Sequence, residues 1–284
     1  MADNTLFASV EAKPGSAKLD PIVIADNVER RFGGLTAVDV EHFEVQRGAI
    51  TALIGPNGAG KSTFFNLLTG FDRPQKGEWL FNGKSMRGVS PVKVARAGKV
   101  RTWQLTKALN GMTVMENMRL GAAKQPGENF FVAFMPWVWK KREAEITEKA
   151  YDLLDRFKLY DKRDDFAGEL SGGQRKLLEM ARALMSEPEM VMLDEPMAGV
   201  NPALTESLLE HIVELKSEGV TVLFVEHDMH MVRRISDWVT VMAEGKIIAE
   251  GPPDVVMANN AVQDAYLGSH HDTDLSEEFE ETEA

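Results

Sequence analysis

The sequence predicts an α/β fold organised around a phosphate-binding loop, and two observations support this prediction. First, a Gly-rich segment, GPNGAGKST at Gly55–Thr63, lies between the apolar run Ile50–Ile54 and a second apolar run, Phe64–Leu68. This is the pattern of a buried strand, a tight turn and the first turns of a helix. Second, further apolar runs of strand length alternate with amphipathic segments of helix length along the chain.

The Gly-rich segment matches the phosphate-loop pattern G-x-x-x-x-G-K-[ST]. Its glycines allow the backbone to curl around one anion, and the following helix adds the positive end of its dipole. Lys61 supplies a mobile cation for the outer phosphates, and the Ser62 hydroxyl is placed to bind Mg²⁺. The alternative is a chance Gly-rich turn, which the flanking strand and helix disfavour. The residues assigned to phosphate binding are Gly55, Pro56, Asn57, Gly58, Ala59, Gly60, Lys61, Ser62 and Thr63.

Composition narrows the class of protein. The chain has 284 residues, 44% of them hydrophobic, and no cysteine. We therefore expect a globular protein without disulfides or thiolate metal sites, in keeping with a reducing compartment. The N-terminus lacks the pattern of a signal peptide, and no apolar run approaches the about 20 residues of a membrane helix. These features predict a soluble protein.

The net charge of −12 is concentrated near the C-terminus. The segment 269–284 is predicted to be a disordered, solvated tail, with a regulatory or partner-binding role as the alternative. The rest of the chain is only mildly acidic, which argues against nucleic acid as a main partner. The acidic residues of the tail are Asp272, Asp274, Glu277, Glu278, Glu280, Glu281 and Glu283.

The N-terminal part predicts a lead-in and two strands. Residues 1–20 are polar and aperiodic, which predicts a flexible lead-in. Apolar positions alternate from Ile22, which indicates an edge strand, and a second strand is predicted over 37–45. Phe32, at the turn between them, could stack on an adenine ring. A core aromatic is the equal alternative for this position.

The middle of the chain combines short strands and helices. A hairpin is predicted near 78–83, a short helix over 90–98 and a strand over 100–104. Amphipathic helices are predicted over 142–157 and 174–185.

The segment 129–139, NFFVAFMPWVW, is rich in aromatic residues and precedes three basic residues. We expect it to pack in a helical subdomain or against a partner protein. A position at a membrane interface is the alternative.

The segment 170–174 reads LSGGQ at the start of a predicted helix, and it resembles the signature motif of ATP-binding cassette (ABC) ATPases. Small residues at a helix N-terminus form an anion site, much like the phosphate loop but without its lysine. In that family the signature completes the nucleotide pocket of the opposite subunit. The resemblance assigns nucleotide binding to Ser171, Gly172, Gly173 and Gln174.

An apolar run over 190–193 ends in two acidic residues. A carboxylate at a strand tip can hold Mg²⁺ through water, and the next one can orient a water for in-line attack on the γ-phosphate. We assign the first role to Asp194 and the second to Glu195; in isolation they would be two acids at a solvated strand end. His227 follows a predicted strand over 221–226, and its position matches the family's switch histidine, which contacts the γ-phosphate.

The remaining elements include one departure from the family. The segment AGVNP at 198–202 stands where the family has its subunit-contact loop, which commonly contains Ser and Asp. Because these residues differ here, the family does not imply which contacts the segment makes between subunits. A long helix is predicted over 202–216, a closing pair of strands over 237–250 and a small helix ending near 268.

The resemblance covers residues 22–268 and implies one cassette of the P-loop NTPase class. Such a cassette has a RecA-like α/β core, an antiparallel β subdomain and a helical subdomain, here near 105–185, that carries the signature. Gln104 would join the two lobes and sense Mg²⁺ and the γ-phosphate. The implied segments are the lead-in 1–20, the ABC ATPase domain 21–268 and the tail 269–284.

The resemblance also implies the reaction and the partners. ATP and Mg²⁺ are the expected cofactors, and Lys61, Glu195 and His227 the expected catalytic residues. Because the sequence has one phosphate loop and one signature, a complete site needs a second ABC ATPase subunit, identical or similar. The dimer would act on separate membrane permease subunits, and indirectly on a substrate-binding protein, from the cytoplasmic face of the cell membrane.

A closer resemblance is to the ATPase of branched-chain amino-acid importers. The segments RFGGLTAV, AGVNP, VEHDM and AYLG, with the aromatic segment 129–139, carry this likeness. ATPases of urea or amide importers and of lipopolysaccharide exporters share much of the pattern, although LSGGQ fits amino-acid importers better than urea systems. Two further alternatives are a soluble ABC ATPase acting on ribosomes or DNA, disfavoured by the single cassette, and an inactive nucleotide-binding regulator, disfavoured by the intact motifs.

Overall fold

The structure, a computed structural model, describes residues 6–102, 108–123 and 136–268. It divides into two compact units. The first unit comprises the residues up to Pro91 and those from Leu215 onwards, and the second comprises Val92–Glu214. The predicted helical subdomain, near 105–185, falls within the limits of the second unit.

Strands and helices alternate along the described chain. The strands are β1 (Pro21–Phe32), β2 (Leu35–Gln46), β3 (Ile50–Ile54), β4 (Lys76–Phe81), β5 (Lys84–Ser85), β6 (Lys99–Arg101), β7 (Met190–Asp194), β8 (Thr221–Val225), β9 (Trp238–Ala243) and β10 (Lys246–Gly251). The helices are α1 (Lys61–Leu68), α2 (Pro91–Arg96), α3 (Val114–Gly121), α4 (Pro136–Arg156), α5 (Gly172–Leu184), α6 (Pro202–Ser217), α7 (Met229–Ile235), α8 (Pro253–Met257) and α9 (Asn260–Gly268). Of the helices in these ranges, none is long and apolar enough to cross a bilayer.

The first unit contains an antiparallel sheet in the order β2-β1-β4-β5. The hairpin predicted near 78–83 is confirmed, because Leu80 of β4 pairs with Ser85 of β5. The prediction of an edge strand at Ile22 is wrong, since β1 lies between β2 and β4. An alternating pattern reports which face of a strand is buried, and it does not report how many neighbours the strand has.

A second sheet of the first unit places the candidate site. Its strands lie in the order β10-β9-β3-β8, with β3 parallel to both of its neighbours. Every residue of β3 and β8 is buried, as expected for strands covered on both faces. Because β3 and β8 are parallel and adjacent, the residues after them lie at the same edge of the sheet. The phosphate loop follows β3, and His227 follows β8.

The second unit contains the parallel pair β6 and β7 and the helices from α3 to α5. Helix α4 begins at Pro136, before the predicted start at 142, because a proline is well tolerated in the first turn of a helix. Helix α5 begins at Gly172 rather than at 174, because Ser171 caps it.

The N-terminal segment, residues 6–20, is packed within the first unit, although its polar composition predicts a flexible lead-in. Phe7 is 5% exposed and stacks on Trp238, with ring centroids 4.7 Å apart. The Lys18 ammonium lies 3.2 Å from the Glu250 carboxylate and 4.4 Å from the Trp238 ring centroid, and both charged side chains are buried. Burial lowers the pKa of Lys18, and the neighbouring carboxylates offset part of that change. A stack of two aromatic rings and a buried ion pair thus hold residues 6–20 in place, although their sequence has no periodic apolar pattern.

We expect Phe7→Ala to lower the free energy of unfolding by about 3 kcal/mol, because it removes a buried aromatic ring. Urea unfolding, followed by tryptophan fluorescence, measures this change. Leu19→Ala is the matched control, because Leu19 is 67% exposed and its truncation should change stability by less than about 0.5 kcal/mol. Equal stabilities of Phe7→Ala and the wild type would contradict the packing of this segment.

Candidate functional site

The phosphate loop, residues 55–60, joins the end of β3 to the start of α1, which confirms the predicted strand–loop–helix arrangement. Gly60 is the N-cap of α1 and makes no side-chain hydrogen bond to the helix. The first backbone N–H groups of α1 are therefore not capped by a side chain at this position. With the positive end of the helix dipole, such groups favour an anion.

Two glycines of the loop stand where no other residue fits. A Cβ atom on Gly55 would lie 2.0 Å from the Met242 carbonyl oxygen, and one on Gly60 would lie 2.2 Å from the Ala37 carbonyl oxygen. Their φ angles, 147° and 100°, also lie in a region that L-residues rarely adopt. The loop backbone is therefore packed directly against β9 and β2.

The turn between β9 and β10 also makes a hydrogen bond to the phosphate loop. The N–H of Gly245 donates to the Ala59 carbonyl oxygen at 3.0 Å, and the Gly245 carbonyl oxygen accepts from the N–H of Asp39 at 2.8 Å. These hydrogen bonds connect the loop to β2 through the turn. The loop conformation is thus set by the fold of the first unit.

Lys61 lies inside the Gly-rich turn, as its predicted role requires. It is 6% exposed, and its ammonium donates to the carbonyl oxygens of Gly55 at 2.6 Å and Pro56 at 2.9 Å. Ser62, the next residue, is exposed at the start of α1. A cation within the turn and an accessible hydroxyl beside it are suited to bind a phosphate chain.

Phe32 and His227 are both accessible in the first unit. Phe32 ends β1, is 49% exposed and lies 4.6 Å from the Arg30 guanidinium, measured from the ring centroid. Its exposure contradicts the alternative of a core aromatic, and stacking on adenine stays a prediction. His227 is exposed just beyond β8, and its backbone N–H donates to the Glu226 carboxylate at 3.3 Å.

In the second unit, Asp194 ends β7 and forms a buried ion pair with Arg101, which ends β6. The Arg101 Nη2 atom lies 2.6 Å from the Asp194 Oδ2 atom, and the two side chains are 5% and 9% exposed. Removing one partner of a buried ion pair costs about 3–5 kcal/mol, because it leaves an uncompensated charge. Sequence reasoning gave Arg101 no role; the only local signal is its place three residues before Gln104.

Glu195 has an unusual backbone conformation, with a φ angle of 46°. For a residue other than glycine, this region costs about 1–3 kcal/mol and is retained only when the surroundings impose it. The Lys176 side chain of α5 donates to carbonyl oxygens of this segment. Lys176 is a second residue that sequence reasoning missed, although it follows LSGGQ by two positions.

The signature motif forms the N-terminus of α5, as predicted. Ser171 is the N-cap, and it forms a capping box with Gln174: the Ser171 Oγ atom accepts from the Gln174 N–H at 3.2 Å, and the Gln174 Oε1 atom accepts from the Ser171 N–H at 2.9 Å. Ser171 and Gly172 are exposed, whereas Gly173 is buried. The arrangement presents the capped helix start to solvent.

The predicted site residues fall into two groups. The phosphate loop, Phe32 and His227 belong to the first unit, and Asp194, Glu195 and the signature belong to the second. Gln104 lies outside the described residues, as do residues 129–135 of the aromatic segment and the tail 269–284. Their assignments stay predictions.

Comparison with known proteins identifies the family. The sequence pattern of the ABC transporter family matches residues 38–198, and that of the branched-chain amino acid ATP-binding cassette transporter matches residues 246–272. The chain is 43% identical over 248 residues to the probable branched-chain amino acid transport ATP-binding protein LivG of Archaeoglobus fulgidus, covering 87% of this chain and 96% of that protein. It is 40% identical over 250 residues to the high-affinity branched-chain amino acid transport ATP-binding protein BraF of Pseudomonas aeruginosa, covering 87% and 98%.

A solved structure agrees with this assignment. The ADP conformation of an ATP-binding cassette of an ABC transporter superposes with a TM-score of 0.75 at 38% identity, covering 87% of this chain and 99% of that one. The predicted α/β P-loop cassette fold is confirmed. The chain belongs to the ABC transporter family, as an ATPase of the group named for branched-chain amino acid transport.

Proposed function

We propose that this chain binds and hydrolyses ATP to power the import of branched-chain amino acids through separate permease subunits. The observation that carries the proposal is its similarity, over nearly their whole length, to transport ATP-binding proteins named for these substrates. The intact phosphate loop, the two acids Asp194 and Glu195 and the LSGGQ motif support catalytic activity.

The first unit would bind the nucleotide. The preformed phosphate loop and the Lys61 ammonium are suited to the outer phosphates, and the exposed ring of Phe32 is suited to stack on adenine. His227 lies at the sheet edge that also carries the phosphate loop, which supports a contact with the γ-phosphate.

The reaction would need side chains that bind Mg²⁺ and orient water, and we assign these roles to Asp194, Glu195 and Ser62. Mg²⁺ takes one or two protein oxygen ligands together with phosphates and waters, and the Ser62 hydroxyl and the Asp194 carboxylate are oxygen donors of this kind. When bound, Mg²⁺ would neutralise charge that develops on the phosphates. Gln104 would be a further ligand, and Glu195 would orient the attacking water.

The working unit would be a dimer on the cytoplasmic face of the membrane. One phosphate loop and one signature per chain support two composite pockets, each completed by the signature of the other subunit. ATP would close the dimer, and hydrolysis with phosphate release would reopen it. The permease subunits would receive this motion, and a substrate-binding protein would deliver the amino acid to them.

Transport tests the substrate. The chain would be reconstituted in proteoliposomes with its permease subunits and binding protein, and uptake of labelled leucine would be measured with ATP inside. We expect uptake that excess valine suppresses and excess urea leaves unchanged. Uptake of urea instead of leucine would overturn the proposed substrate but not the ATPase.

We expect Glu195→Gln to bind ATP normally and to lower the rate of ATP hydrolysis by at least about 100-fold, because it removes the group that orients the water. Lys61→Ala should instead weaken ATP binding. Fluorescent-nucleotide titration and phosphate release separate the two effects. Glu148→Gln, at an exposed position of α4, is the charge-matched control. Wild-type turnover in Glu195→Gln would disprove its role.

The shared pockets predict complementation between two inactive variants. Ser171→Asp keeps a good N-cap but adds a negative charge where the γ-phosphate would lie, so it should be inactive. Ser171→Asn is the uncharged control. Mixed with inactive Lys61→Ala, Ser171→Asp should recover part of the ATP hydrolysis, because a mixed dimer contains one pocket free of both changes. No recovery in the mixture would contradict the shared pocket.

A further inference from the structure

One side chain of the second unit, that of Lys176, donates hydrogen bonds to three carbonyl oxygens of one loop. The Lys176 ammonium donates to the carbonyl oxygens of Glu195 at 3.1 Å, Pro196 at 3.0 Å and Ala198 at 2.6 Å. A lysine ammonium has three N–H donors, and here each can meet its own carbonyl oxygen. Such bonds are strengthened by the charge of the donor.

The loop that Lys176 holds begins with a strained residue. Glu195 has its φ angle at 46°, a conformation that persists only where surrounding contacts impose it. The Glu195 carbonyl oxygen is both an acceptor for Lys176 and, at 3.2 Å, an acceptor for the Ala198 N–H. The position of the Glu195 backbone, and with it the direction of its side chain, is therefore tied to the Lys176 ammonium.

The far end of the same loop is also attached to α5. A Cβ atom on Gly173 would lie 2.4 Å from the Leu204 Cδ1 atom, so α6 packs closely on the signature at its start. Asn201 caps α6 by accepting from the Leu204 N–H at 2.9 Å. The segment from 195 to 204 is thus fixed to the signature helix at both ends.

We propose that Lys176 is a positioning residue that couples the signature motif to Glu195 of the same chain. Given the proposed function, on which this inference rests, Ser171 and Glu195 of one chain serve different nucleotide pockets. Lys176 then provides a physical link between the two pockets of the dimer. Binding of nucleotide at the signature would set the position of the catalytic carboxylate that belongs to the other pocket.

Three substitutions of Lys176 remove its hydrogen-bond donors to different extents and so test its positioning role. Lys176→Met removes every donor at similar length, Lys176→Gln keeps two donors, and Lys176→Arg keeps the charge with a planar set of donors. Lys141→Met is the control, because Lys141 is an exposed lysine of α4. Each variant is measured for fluorescent ATP affinity, for the rate and Hill coefficient of ATP hydrolysis, and for hydrogen–deuterium exchange of the amides in 195–200.

We expect Lys176→Met to keep its ATP affinity within about twofold, because the phosphate loop is untouched, and to lose about 10- to 100-fold in kcat through misplacement of the carboxylate. Its Hill coefficient should fall towards one, and its 195–200 amides should exchange faster. Lys176→Gln and Lys176→Arg should be intermediate, and Lys141→Met should match the wild type.

Unchanged exchange in 195–200 would overturn the positioning role, whether or not the protein hydrolyses ATP. A lower kcat with an unchanged Hill coefficient would overturn the coupling between pockets. A wild-type protein without ATP turnover would instead contradict the proposed function, and the exchange measurement would still decide the positioning role of Lys176.

Discussion

The close approach of the phosphate-loop backbone to β2 and β9 is the constraint on which the candidate site of the first unit depends. Gly55 and Gly60 touch carbonyl oxygens of those strands at distances that exclude a side chain, and Gly245 holds the loop between them. The fold of the first unit therefore constrains the backbone that carries the donors of the loop. A site ordered in advance binds its ligand with a smaller loss of conformational freedom.

In the second unit, basic side chains hold the last residue of β7, Asp194, and the residue after it, Glu195. Arg101 neutralises the buried Asp194 carboxylate, and Lys176 holds the loop that begins at the strained Glu195. Arg101 comes from β6, which pairs with β7, and Lys176 comes from α5, so neither cation is a neighbour of the two acids in sequence. The Asp194 carboxylate is thus paired with a cation, and the Glu195 backbone is held by hydrogen bonds from Lys176. A buried carboxylate without a partner at this position would be strongly destabilising.

Much of the fold follows from local patterns. The phosphate loop, the hairpin of β4 and β5, and the helix that begins within LSGGQ were predictable, the last to within two residues, because each depends on a few consecutive residues with strong turn or capping preferences. The predicted edge strand at Ile22 failed because β4, the second neighbour of β1, comes from a distant part of the chain. The prediction that residues 6–20 are flexible was wrong for a similar reason, since Phe7 and Lys18 contact the distant residues Trp238 and Glu250.

The sequence by itself determined the chemistry of the site: a loop for phosphates, a lysine within it, two acids at a strand tip and a capped signature helix. Residue type and short-range spacing are sufficient for these features, because each is made by one contiguous segment. Only the tertiary structure decided the partners of the charged groups. Arg101 reaches Asp194 because β6 and β7 pair in a register that sets Arg101 opposite Met192, and strand register is a property of the packed sheet rather than of either strand alone.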